Sequence, residues 1–152
     1  MGYMGEDKIS KVAKELMEEH EKLGNKLFQT VNRFRKMKKE QFQLKVIEEA
    51  LKAYFDVDEL WKEFDRHEAR EEEEVFPELI ERGEKKVIDD LVEQHEILSN
   101  IRKEARDLLV KYKEKKIGFK ELKKKFEKRL YKFENILNQH MQTENELFHK
   151  MV

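Results

Sequence analysis

The sequence has no cysteine, one proline and five glycines in 152 residues. Without cysteine there is no disulfide and no thiolate ligand, so any bound metal must rest on histidine and carboxylate. So little proline and glycine leaves few turns and much room for long helices. No stretch approaches the ~18 apolar residues of a membrane span. The opening MGYMGEDKIS lacks the apolar run of a signal peptide. Its Met-Gly start does not complete a myristoylation motif, because Glu6 stands where that motif takes Ser or Thr. Net charge is also nearly absent, −1 formally, which gives the molecule as a whole no pull toward nucleic acid or membrane. The expectation is a cytoplasmic protein with neither as partner.

What is present is helical material. Charged residues reach 44%, yet 38% are hydrophobic and ten are Phe, enough apolar content to build a core and exclude disorder. Apolar residues recur at spacings of three and four. Ile9, Val12, Leu16, Leu23, Leu27, Val31 and Phe34 form one stripe, and Phe42, Val46, Leu51, Phe55, Leu60, Phe64 and Val75 a second. Val87, Leu91, Leu98, Ile101, Ala105 and Leu108 form a third, and Phe119, Leu122, Phe126, Leu130, Phe133, Leu137 and Leu147 a fourth. The stripes predict helices over about 6–38, 42–81 and 85–115 and from Gly118 to the end, with Gly83 and Gly118 as breaks. Short links between long helices make neighbours antiparallel, hence an all-α, up-down-up-down antiparallel four-helix bundle forming a single domain over 1–152. The second helix, longer than the first, predicts a kink near Asp56 to Asp58.

Histidines 20, 67, 95 and 140 fall one per helix. In an up-down bundle each lies 12 to 16 residues from the same end, and so at one height, roughly 18–24 Å along the axis. Each sits on its helix's apolar stripe, where unpartnered imidazoles are costly. A weak repeat supports the arrangement: EEHEKL at 18–23 resembles EQHEIL at 93–98, and HEAREEEEVF from 67 resembles HMQTENELF from 140. The two hairpins therefore look like copies related by a pseudo-two-fold axis. The repeated His-x-x-x-Glu pairs, His67 with Glu71 and His140 with Glu144, place each carboxylate on its histidine's face, about 40° around the helix and one turn on. Two buried carboxylates need positive charge, and no Lys or Arg has an evident place in the layer. A pair of divalent or trivalent cations, bridged by both glutamates, supplies it. A lone core histidine is usually structural; four at one height with two such carboxylates point to metal.

Other residues read more plainly. Glu72, Glu73 and Glu74 rotate away from Glu71 as a solvated face. Glu68 either faces a neighbouring helix or serves as a spare ligand. His149 lies near an exposed end, and Trp61 and the Phe residues belong to the core. Arg33, Arg35, Lys36, Lys38 and Lys39 cluster at one turn, and Lys111, Lys113, Lys115 and Lys116 at another, as basic tips far from the histidine layer.

One His, a His-x-x-x-Glu, a further His and a second His-x-x-x-Glu, with EEEEVFPEL after the second histidine, resemble the hemerythrin-like proteins, also called HHE cation-binding domains. The likeness runs from His20 to Glu144. It implies a non-haem di-iron centre with His20, His67, His95 and His140 as terminal ligands and Glu71 and Glu144 as bridges. The oxygen carriers of that family have a fifth histidine four residues from the third-helix one. Leu91 and Ser99 stand at that spacing from His95 here, and the last carboxylate lies one residue nearer its histidine. These departures favour the members with a four-His, two-Glu set and speak against reversible oxygen carriage. The donor set suits two iron ions, with zinc or manganese as alternatives. The small ligand implied is O₂ or NO, or iron itself is the cargo. No further acid, base or nucleophile stands ready for an organic substrate, which favours binding or sensing over an enzyme of the peroxidase, ferroxidase or iron-centre repair kind. A metal-free interaction bundle is the third reading.

Overall fold

The structure, a computed structural model, describes residues 6–36 and 44–152. Lys38, Lys39 and Phe42, assigned above to a basic tip and an apolar stripe, lie outside the described residues, as does the side chain of Val46. Helix α1 spans Glu6–Arg35, α2 Leu44–Arg70, α3 Phe76–Glu81, α4 Lys85–Lys113 and α5 Phe119–His149. A π-helical turn, Glu71–Val75, joins α2 to α3 without a break, so α2 and α3 form one rod. The chain is thus a four-rod bundle, with no strand among the described residues. α1 packs against α2 and α5, and α4 against α5 and α2.

Two turns close their helices in the same way. After α3, the Glu84 N–H donates to Leu79 O and the Gly83 N–H to Ile80 O, both at 3.0 Å, with Gly83 at φ 92°. After α4, Lys116 N–H donates to Lys111 O at 2.9 Å and Lys115 N–H to Tyr112 O at 3.0 Å. This paired closure needs a left-handed residue, ordinarily glycine. In the second turn that residue is Lys115, at φ 61°. Gly118 lies in the break between α4 and α5, as expected, and opens α5 in extended conformation, accepting the Leu122 N–H.

The core divides in two. A larger cluster runs from Leu23 and Leu27 through Tyr54, Trp61, Phe64, Leu98, Phe126 and Phe133 to Leu137. A smaller one gathers Ile9, Val12, Leu16, Val75, Phe76, Leu79, Ile88, Leu91, Leu147 and Phe148. The four histidines fall between them: Leu16 and Leu91 belong to the smaller cluster, Leu23 and Leu98 to the larger, with His20 and His95 between.

The buried face of α2 differs from the expected stripe. Ala50, Tyr54, Val57, Trp61 and Phe64 point inward, whereas Phe55 is exposed and Leu51 only partly covered. Phe55 packs instead under the Lys113 ammonium, 4.6 Å from the ring centre. The expected stripe includes five-residue steps, and the kink near Asp56 to Asp58 is expected from the length of the second helix. The observed face advances by four and three, and α2 runs unbroken through Asp56 to Asp58. The irregularity falls at Glu71–Val75 instead. Pro77 has no N–H for the Glu73 carbonyl, and its ring would press on that carbonyl in a regular helix. The wider turn, in which Phe76 N–H donates to Glu71 O, accommodates it.

Phe64→Ala is expected to cost about 3–5 kcal/mol in a denaturant titration, and Phe55→Ala about 1 kcal/mol or less. Lys115→Gly is expected to raise stability by about 0.5–1 kcal/mol, because it relieves a left-handed conformation without removing a core contact.

Candidate metal centre

Each rod contributes one imidazole, and the second and fourth contribute one carboxylate each. All six side chains are buried, with Glu71 at 0% and Glu144 at 1% exposure. Glu71 Oε2 lies 3.0 Å from His20 Nε2 and 3.2 Å from His67 Nε2, while its Oε1 lies 3.1 Å from His95 Nε2. Glu144 Oε1 lies 3.1 Å from both His20 Nε2 and His140 Nε2, and its Oε2 3.4 Å from His95 Nε2. Ligand atoms of His20, His67, Glu71 and Glu144 lie within 4.8 Å of one another, and so do those of Glu71, His95, His140 and Glu144. Both groups could hold a metal ion, and both glutamates belong to both groups.

Every imidazole turns Nε2 inward and Nδ1 outward. The Nδ1–H groups donate to Asn145 Oδ1 at 2.6 Å from His20, Glu19 Oε1 at 2.9 Å from His67, Glu72 Oε1 at 3.1 Å from His95 and Gln94 Oε1 at 2.7 Å from His140. All four partners are oxygen acceptors, which fixes a proton on Nδ1 and turns Nε2 toward the interior. Inside, Nε2 of His67, His95 and His140, Oε1 of Glu71 and Oε2 of Glu144 are buried without a well-formed hydrogen bond. Buried polar atoms rarely go unpartnered. Five of them converging from three imidazoles and two carboxylates match the donor set of a dinuclear cation site.

The outer contacts follow the repeat. The residue before each odd-rod histidine, Glu19 or Gln94, binds the histidine of the next rod. The residue after each carboxylate, Glu72 or Asn145, binds the remaining one. Phe148 stacks on His20 at 5.6 Å between centroids and Phe76 on His95 at 5.4 Å. Sequence reasoning missed these second partners, although the aligned EEHE and EQHE segments hold two of them. The alignment also explains the π turn. Nine residues separate His67 from Phe76 but eight separate His140 from Phe148. One extra residue before Phe76 would swing the ring off His95 in a regular helix, and the widened turn absorbs it.

Glu68 resolves to the neighbouring-helix alternative: it accepts from Arg102 Nη2 at 3.0 Å, and Arg102 also reaches Asp65. Arg102 is itself buried. Its hydrogen bonds go to Glu68 and Asp65. Glu72 and Glu73 are exposed and Glu74 half-exposed, as a solvated face requires, but Glu72 also accepts from His95 and Glu74 from Arg70 at 2.6 Å. Arg70 also holds Glu19 at 2.6 Å and Glu15. His149 is exposed, Trp61 is core, and Phe28 and Phe55 are exposed exceptions among the phenylalanines.

In the metal-free chain the layer holds its charge with protons. Burial opposes ionisation of His20 and His95, but hydrogen bonds and charge from Glu144 and Glu71 outweigh it, pushing them up to about 10 and about 11. His67 is raised in the same way, against burial, by Glu71. Burial likewise favours neutral Glu71, yet the His20, His67 and His95 imidazoles facing it hold it well below the usual carboxylate range. Glu144, opposed by burial and by the Glu71 charge, is lowered by His140, His20 and His95. A metal must displace the Nε2 protons, so uptake releases them.

A raised histidine pKa stabilises the fold fully below the unfolded value of about 6.5, and that contribution is lost as pH rises through about 10 to about 11. The carboxylates contribute above their ordinary range and lose that contribution as pH falls through their lowered values. Calorimetry of the metal-free chain is therefore expected to show a thermal midpoint that declines from neutral toward strongly alkaline pH. The decline should be shallower in His95→Gln.

No helix among the described residues is long and apolar enough to cross a membrane. No curated protein and no solved structure is matched by the chain. The family described as Hemerythrin HHE cation binding domain is matched over residues 11–152, which takes in all four rods and all six buried donors. The chain belongs to the hemerythrin HHE cation-binding domain family.

Proposed function

We propose that the chain holds two iron ions in this layer, one between His20 and His67 and one between His95 and His140, with Glu71 and Glu144 shared between them, and that it binds or senses O₂, NO or iron. The observation that carries this reading is the sharing itself: both carboxylates stand within ligand distance of both histidine pairs. Two anions at essentially zero exposure need positive charge, and shared cations provide more of it than protons do. Imidazole and carboxylate suit iron, and manganese or zinc use the same donors.

Bound iron supplies open coordination positions for a small diatomic ligand and a one-electron change at each ion. The chain's own residues do the rest. The four Nδ1 hydrogen bonds fix the imidazoles with Nε2 inward. Leu16, Leu91, Phe76 and Phe148 on one side and Leu23, Leu98 and Leu137 on the other keep water from the layer. Such a dry site favours a small apolar ligand over a charged substrate.

Protein produced with supplemental iron is expected to retain two ions per chain by elemental analysis, and Glu144→Ala to lose both or fall below one. Chelation should lower the thermal midpoint by roughly 10 °C. That follows from about 4 kcal/mol of stabilisation at a thousand-fold excess over Kd and about 2–4 °C per kcal/mol at this length. A chain that never takes up metal, with an unchanged midpoint after chelation, would defeat the reading.

A further inference from the structure

The outer contacts of the imidazoles divide by metal position. For the His20–His67 pair the acceptors are Asn145 and Glu19; for the His95–His140 pair they are Gln94 and Glu72. Each pair has one amide and one carboxylate, but the carboxylates are placed differently. Glu19 is braced by Arg70, which also grips Glu15 and Glu74. Thr143 occupies the matching place in the other hairpin, three residues after His140. Glu72 has no ion pair with Lys or Arg among the described residues, and its side chain is 43% exposed. The pseudo-two-fold axis therefore relates the donors but not what holds them.

We infer that Glu19 and Glu72 are positioning residues, each serving one metal position, and that the two positions can consequently be emptied separately, the His95–His140 position first. This rests on the two-ion reading above. An imidazole free to rotate about its Cβ–Cγ bond carries Nε2 away from the metal. Phe76, lying nearly parallel to the His95 ring at 20°, restrains tilt but offers no polar anchor. Glu72 supplies that anchor. Since Gln94 and Asn145 perform the same task with an amide oxygen, the requirement is for an acceptor in place rather than for negative charge.

Graded chelation of iron-loaded protein, with metal per chain counted by elemental analysis, tests this. Glu72→Ala should weaken one position by about 10–100-fold, leaving one ion per chain where the unaltered protein keeps two. Imidazole ¹⁵N shifts of the zinc-loaded variant should place the vacancy at His95 and His140. Glu72→Gln should recover the second ion, Glu73→Gln should match the unaltered protein, and the metal-free thermal midpoint of Glu72→Ala should fall less than the metal-loaded one. Several results would overturn the inference: two ions retained by Glu72→Ala at the normal chelator level, loss of both together, a vacancy at His20 and His67, or Glu72→Gln as defective as Ala. A metal-free midpoint lowered as much as the loaded one would assign Glu72 a packing role instead. If the unaltered protein takes up no iron, the two-ion reading itself fails, an outcome distinct from all of these.

Discussion

Two glutamates, removed from water and facing each other across four imidazoles, set the terms for the rest of this molecule. Left unbalanced, their mutual repulsion and lost hydration would rival the whole net stability of a bundle of this size. The neighbours of Glu71 and Glu144 answer that demand: three imidazole nitrogens surround each carboxylate within 3.4 Å. The arrangement requires four rods in register, so the lengths of the helices and the placement of the turns are tied to the chemistry of one cross-section. Arg102, a buried cation among the described residues, is committed to Glu68 and Asp65 and leaves the balance in the layer to the imidazoles and to any cation they hold.

Near-duplication explains how one chain meets so many constraints. Each hairpin provides one lone histidine and one His-x-x-x-Glu, and each completes the outer hydrogen bonds of the other half. Where the copies differ in length, at the residue added before Phe76, the backbone widens for a single turn and the aromatic ring still lands on its histidine. The π turn is therefore what keeps the two halves superimposable at the centre. Pro77, which a regular helix would resist, is tolerated at the same spot.

Most of the bundle was legible in the sequence because apolar spacing and glycine position report directly on helix face and helix end. Gly83 behaves as its position suggested. The stripe of the second helix departs from the buried face where Leu51 and Phe55 stand in place of Tyr54, an aromatic with a polar end, and the length of that helix suggests a kink where α2 in fact runs unbroken. Lys115 was invisible as a turn residue, since nothing in lysine's chemistry announces a left-handed backbone. The six inward donors were readable because identity and height coincide. Their outer partners were not, because Glu19, Glu72, Gln94 and Asn145 look like ordinary helix surface until the neighbouring rod is in place. Among them only Glu72 had been considered and set aside, on a rotation argument that holds for Glu73.

The polar cross-section also cuts the apolar interior into unequal parts. The smaller part, formed by the first turns of α1, the π turn and α3, the first turns of α4 and the end of α5, is set apart from the larger at the level of the histidines and glutamates. Such a segment is a separate cooperative unit, able to open while the aromatic body around Trp61 and Phe133 stays closed. Its amides would exchange with solvent ahead of the rest, so breathing of this cap would uncover the histidine layer without unfolding the bundle.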